Sequence, residues 1–167
     1  MAPRSPRRRR EHWRHTKPLI QRMWIPTPTV IAALEGETKT AHDVELVSRS
    51  TAIEQAVWRA RVRVPGYDIV HTLRIELERH GHDVYVEDWT GDKLRHTYGA
   101  CRLCMWYPSD PPEKRWKKSD GLLKLIDTAV LHLFKEYYFR EKGEWLGDEV
   151  HEAPRKAAAA SRPQEGE

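Results

Sequence analysis

The chain holds two cysteines, three positions apart, in Cys101-Arg102-Leu103-Cys104. A C-x-x-C spacing supports three chemistries. A redox dithiol wants its first cysteine at a helix N-terminus, where the dipole lowers the thiol pKa. Here Met105-Trp106-Tyr107 and a proline-rich loop follow instead. Zinc needs two further ligands. His80, His82 and His96 are at hand, but the chain has no second C-x-x-C and no histidine pair at metal-binding spacing. The third chemistry is nucleophilic attack by one thiol, the other being incidental. A free thiol of pKa near ~8.5 is only a few per cent thiolate at pH 7, yet thiolates are strong nucleophiles. The plain alternative is two small apolar residues packed in a core.

The surroundings of the motif add to this. The run His96-Thr97-Tyr98-Gly99-Ala100-Cys101-Arg102-Leu103-Cys104-Met105-Trp106-Tyr107-Pro108 resembles H-x-Y-x-x-G-x-L-C-L-[YW]-x-P, a pattern of bacterial relatives of ubiquitin-conjugating enzymes. Trp116 and the block Gly143-Glu144-Trp145-Leu146-Gly147 resemble the W and the T-G-E-W-L-G of the same family. That family is the stand-alone or fused conjugating enzyme of CBASS anti-phage systems and similar operons. The resemblance covers residues 55–150 and is most specific in L-C-M-W-Y-P and G-E-W-L-G. It implies a ubiquitin-conjugating-like fold and a Cys104 nucleophile, with His96 and Tyr98 on the family's upstream His and Tyr. It also implies acyl transfer through a cysteine thioester. The carried group would be the C-terminus of a cGAS-like nucleotidyltransferase, or a ubiquitin-like protein supplied by a separate activating enzyme. No cofactor is implied. The departures are the missing H-P-N asparagine and Cys101, which stands where the family has glycine. The N-terminal third matches nothing in the pattern.

Thioester chemistry requires access, a dock for the acyl carrier and a donor for the tetrahedral oxyanion, which contributes roughly 3–4 kcal/mol. Backbone N–H groups near Cys104, or the side chains of His96 or Tyr98, are the candidate donors. His96 can equally orient its loop through a structural hydrogen bond, and Tyr98 can simply pack. Asp88 and Asp110 are the nearest carboxylates in sequence for steering an acceptor amine, unless they are solvated turn residues. Trp106, Trp116 and Trp145 read as core or loop anchors, and as a partner surface only if exposed.

These residues must be positioned by the elements around them. Val57 to Val64 alternates as a half-buried strand with arginines on its wet face. After the turn Pro65-Gly66-Tyr67-Asp68, Ile69, His71, Leu73, Ile75 and Leu77 share one face of a second strand. Val84–Val86 and Arg102–Trp106 read as further strands, with a possible short one at Val44–Val47. From Leu122, apolar residues at helical spacing predict a long helix, with Ser119 or Asp120 as its cap and Gly143 as its end. Glu136 and Arg140 read as a pair on its outer side. Leu19, Ile20, Met23 and Trp24 suggest a short helix that Pro26 and Pro28 would end. Strands followed by a helix predict an α+β fold: an antiparallel sheet of about four strands packed with C-terminal helices. A doubly wound sheet is disfavoured, and no glycine-rich phosphate loop is present.

Composition bounds the rest. No stretch approaches the ~20 apolar residues of a spanning helix, so no membrane partner is expected. Seven Trp, six Tyr and two Phe exclude a wholly disordered chain. The net charge is +4, but residues 1–15 hold six arginines and one acid, so the remainder sums to −1. Residues 1–17 therefore read as a solvated arginine-rich tail, 18–151 as one domain and 152–167 as a second tail. Prolines interrupt any signal-peptide core, which leads to the expectation of a cytoplasmic protein with reduced thiols. Two rivals to the transferase follow. One is a non-catalytic interaction module on the same fold. The other is a nucleic-acid binder driven by the tail, with binding that weakens steeply in salt.

Overall fold

The computed structural model describes residues 24–99, 101–107 and 110–147. Both expected tails lie outside the described residues, as does the helix expected from Leu19 to Trp24 except for Trp24 itself, which is not helical. The elements run α1 (Pro28–Glu35), α2 (Thr38–Ala41), β1 (Asp43–Ser50), β2 (Gln55–Arg63), β3 (Val70–Leu77), β4 (His82–Val86), β5 (Thr97–Tyr98) and β6 (Arg102–Leu103). A 3-10 turn (Lys118–Asp120) then leads into α3 (Gly121–Lys142). The strands form one antiparallel sheet in the order β1-β2-β3-β4-β6-β5. The architecture is α+β as expected, but the sheet has six strands rather than about four.

Alternation in the sequence becomes two chemically distinct sheet faces. Trp58, Ala60 and Val62 of β2, Leu73, Ile75 and Leu77 of β3, and Val84 and Val86 of β4 are buried. The register holds these side chains side by side, Trp58 opposite Ile75 and Leu73 opposite Val86. They join one core with Leu122, Leu125, Ile126, Ala129 and Leu133 of α3 and Leu34 of α1. The other face carries Arg59, Arg61 and Arg63, with Arg59 paired to Glu87 at 2.7 Å and the Arg74 guanidinium 4.0 Å from the Tyr85 ring. Trp58 donates its indole N–H to Glu35 at 3.1 Å, which satisfies both polar groups where they are buried.

Four local differences from expectation have simple causes. Pro28 starts a helix of its own: it occupies the first turn, where its missing N–H is no loss, and Thr27 accepts from the Val30 N–H. β1 is a full eight-residue edge strand, masked in the sequence by charged residues and a bulge between Leu46 and Ser48. The last strand is only Arg102–Leu103; the Cys104 N–H extends its pairing by one bond, to the His96 carbonyl beside β5, before the chain leaves the sheet. Asp120 precedes α3, but its carboxylate accepts from the Lys117 N–H and the Lys124 ammonium and caps no backbone N–H of the helix. The other end of α3 follows expectation, with Gly143 left-handed at φ 79°.

The depth of α3 in the core can be tested by two leucines on opposite sides of it. Leu125→Ala should cost about 2–5 kcal/mol of unfolding free energy in urea titration. Leu131→Ala, at a side chain 52% exposed, should stay within about 0.5 kcal/mol.

Candidate active site

A short irregular path brings Cys104 to the surface. After β4 the chain runs without regular structure to His96, pinned partway by the buried Leu94. His96 takes a left-handed backbone, φ 47°, which is uncommon outside glycine. Its carbonyl accepts the Cys104 N–H at 2.7 Å. β5 and β6 then form a small hairpin with Thr97 opposite Leu103 and Tyr98 opposite Arg102. Gly99 supplies a positive φ in its turn. The Cys101 carbonyl accepts from the Val86 N–H at 3.1 Å, tying the hairpin to β4.

The two cysteines are therefore separated. Arg102 and Leu103 between them are extended, so the cysteine Cα atoms stand roughly 10 Å apart. A disulfide spans no more than about 7 Å. The redox-dithiol chemistry does not fit this geometry.

The Cys104 sulfur lies 3.3 Å from the Tyr98 hydroxyl and 3.6 Å from the Trp106 carbonyl. Tyr98 is exposed, with its ring 4.7 Å from the Arg102 guanidinium, which also pairs with Asp83 at 3.1 Å. The hydrogen bond with the Cys104 sulfur, and then that sulfur's charge, hold the Tyr98 phenol above its ordinary pKa. The phenol keeps its proton across the neutral range, and its oxygen accepts from the Cys104 thiol. The Cys104 N–H is already taken by His96, so it is not free to meet an oxyanion. The His96 ring lies 4.6 Å from the Trp145 ring and lines a groove with Cys104.

Cys104 borders two grooves. One runs over the sheet edge past His82, Asp83, Tyr98, Arg102 and Trp106. The other, with about 480 Å³ of open space, runs between Cys104 and α3. Its helical wall is Thr128, Leu131, His132 and Lys135, and Trp145 closes one end. Gly143 makes that closure possible, because its left-handed turn sends the chain back along α3. His132 lies beneath the second groove, its ring 5.6 Å from Trp145 and its Nε2 donating to the Arg95 carbonyl at 3.2 Å. Burial pushes His132 down to about 4. The sequence reading missed this wall. Its signal was the spacing 128, 131, 132 and 135 on the side of α3 away from the main core stripe.

A profile of the type II CBASS E2 protein family matches residues 34–152. The chain belongs to this family. The match begins at the end of α1, so it takes in β1 and α2 as well as the region where the motifs lie. No curated protein and no solved structure matches the chain. A role in CBASS defence, together with other CBASS proteins, follows from the membership.

Other candidates in this E2-family chain fall into structural places. Asp88 accepts from the Thr72 N–H at 2.9 Å and bonds His71 at 2.9 Å, while the other His71 nitrogen meets the Tyr137 hydroxyl at 2.7 Å. That network clamps β3 to α3. Asp110 accepts from the Tyr107 N–H at 2.9 Å and so shapes the loop after Cys104. Trp116 is buried and donates to the Gly121 carbonyl at 2.8 Å, an anchor for the start of α3. Trp106 and Trp145 are half-buried and line the grooves. His82 packs edge-on between Trp106 and Trp116; burial first, then the Lys118 ammonium, lower its pKa. Among the described residues no three side chains of His, Cys, Asp or Glu come together as metal ligands. Nor is any helix among them long and apolar enough to cross a membrane.

His132 gives the E2 domain a predictable acid response. Its pKa falls from the ordinary 6.5 to about 4 on folding, so between those values the unfolded chain binds the extra proton. Stability present above pH 6.5 should fall by about 3 kcal/mol as pH drops to about 4. His132→Gln, which keeps an N–H donor for Arg95, should lack that part of the pH dependence in denaturant titrations.

Proposed function

We propose that this chain is a ubiquitin-conjugating-like acyl transferase of CBASS defence, with Cys104 as its nucleophile. The observation that carries the reading is a thiol at the junction of two grooves, with a protonated phenol 3.3 Å from the sulfur. The Cys104 thiolate attacks the carbonyl carbon of an activated C-terminus. The tetrahedral oxyanion collapses, the activating leaving group departs, and a thioester forms. A deprotonated amine then attacks the same carbonyl, the C–S bond breaks as the Cys104 thiolate leaves, the nitrogen releases its extra proton to water, and an amide forms. The carried protein is a cGAS-like nucleotidyltransferase, which conjugation would prime for second-messenger synthesis. A ubiquitin-like protein delivered by a separate activating enzyme is the alternative cargo. Both reactions take place in the cytoplasm.

Roles follow from position. Tyr98 is the donor nearest the reacting sulfur, and it can meet charge developing on the carbonyl oxygen. His96 acts through its backbone, holding the Cys104 amide, so its part is orientation. Neither chemical step needs a strong general base, because a thiolate already attacks well and leaves well. Support for the wider reading comes from the family membership and the L-C-M-W-Y-P and G-E-W-L-G blocks.

The test is trapping with the partner nucleotidyltransferase or ubiquitin-like protein, adding its activating enzyme and ATP where required. Wild type and Cys101→Ala should give a thiol-labile adduct on non-reducing gels, and Cys104→Ala should give none. Tyr98→Phe should slow adduct formation by roughly ten- to a hundredfold, with little change in melting temperature because the side chain is exposed. With active components, no adduct in any variant would make the domain an interaction module instead.

A further inference from the structure

Glu136 sits fully buried on α3, at 0% exposure, where the sequence pattern placed it on the outside. Its neighbours on that stretch of helix are Ala129 and Leu133, and an apolar residue would fill the place at no electrostatic cost. A buried carboxylate is expensive unless each oxygen finds a donor. Here both do. Oε2 accepts the Arg95 backbone N–H at 3.0 Å, and Oε1 accepts Arg140 Nε at 2.8 Å.

The partners share one target. Arg140 also donates from its terminal nitrogen to the Asp92 carbonyl at 3.0 Å and the Lys93 carbonyl at 3.4 Å. His132 donates to the Arg95 carbonyl at 3.2 Å. The Arg95 guanidinium lies 4.0 Å from the Phe139 ring. Residues 132, 136 and 140 are one turn apart each, so they form a stripe along α3. That stripe grips the backbone of 92–95, a stretch with no strand or helix of its own. The next residue is His96, whose carbonyl holds the Cys104 amide.

We propose that Glu136, with Arg140 and His132 beside it, is a positioning residue for the reactive thiol: it fixes segment 92–96 on α3 so that the His96 carbonyl orients Cys104. The proposal rests on Cys104 as the nucleophile. The chain of contacts is short, from α3 to the 92–95 backbone and from His96 to Cys104. A core that needed only stability would be served as well by leucine at 136. The carboxylate adds a fixed acceptor for one backbone N–H and a fixed place for one guanidinium.

The experiment uses full-length Glu136→Leu, Glu136→Gln and Arg140→Gln. Amide hydrogen exchange is read by NMR at Cys104, with Ala60 and Ile75 as references. Iodoacetamide labelling of Cys104 is followed by mass spectrometry, with Cys101 as internal control. Both readouts need no partner protein, so they stand or fall separately from thioester formation. In Glu136→Leu the Cys104 amide should exchange on the order of tenfold faster while the references hold. Cys104 labelling should change and Cys101 labelling should not. Thioester turnover should fall roughly tenfold with KM little altered. Glu136→Gln, which still accepts from Arg95, should recover most of the loss. Arg140→Gln, at a partly exposed side chain, should show the same pattern more weakly and decides the matter if Glu136→Leu does not fold. Unchanged Cys104 exchange and labelling in the folded variant would overturn the proposal. So would a loss spread equally over Ala60 and Ile75.

Discussion

A buried carboxylate cannot be left alone. Taking the Glu136 charge out of water costs several kcal/mol unless its oxygens are met by donors of good geometry. That requirement couples α3 to a stretch of chain that has no sheet or helix to hold it. The segment from Asp92 to Arg95 must come to the helix, because only there are its N–H and carbonyl groups and the Glu136 oxygens satisfied together. Once it is there, His96 has little freedom. Its left-handed backbone, φ 47°, is sustained by contacts on both sides. The position of the thiol follows from that local geometry and from the β5–β6 hairpin.

How much of this was legible in the sequence differs by element. β2 and β3 were plain, because Trp58, Ala60 and Val62 against Leu73, Ile75 and Leu77 alternate with polar neighbours. The body of α3 was plain for the same kind of reason at period 3.6. β1 was nearly silent, because an edge strand is not buried on both flanks and its charges hide the pattern. α1 had only the short run Val30 to Leu34 to announce it, and the meaning of Pro28 depends on which side of a helix end it stands. Cys104, His96 and Tyr98 could be singled out as types at a spacing, but their relation could not. His96 meets Cys104 through its backbone, and a carbonyl leaves no mark on residue identity. Glu136 illustrates the opposite error. At i and i+4 with Arg140 it has every sign of a surface pair, and only the fold shows that the segment 92–95 covers it.

The two cysteines show why spacing is a weak guide without conformation. C-x-x-C on a helical turn brings two sulfurs together. The same spacing on extended chain drives them apart, as Arg102 and Leu103 do here. The ladder that pairs Tyr98 with Arg102 thus separates Cys101 from Cys104 and brings the Tyr98 hydroxyl within 3.3 Å of the Cys104 sulfur.

In the proposed reaction the thiol must be reached by two partners, one carrying the carbonyl and one bringing the amine. A deep pocket would serve one and exclude the other. Cys104 instead lies on a ridge between the groove along α3 and the groove over the sheet edge, half-buried and open to both. The grooves differ in chemistry: Leu131, Trp145 and Lys135 line one, Asp83 and Arg102 the other. A ridge, however, gives little enclosure to hold a side chain in place. Rigidity has to come from beneath, through the bonds that tie the segment before Cys104 to the buried His132 and Glu136 of α3 and through the backbone bond to β4.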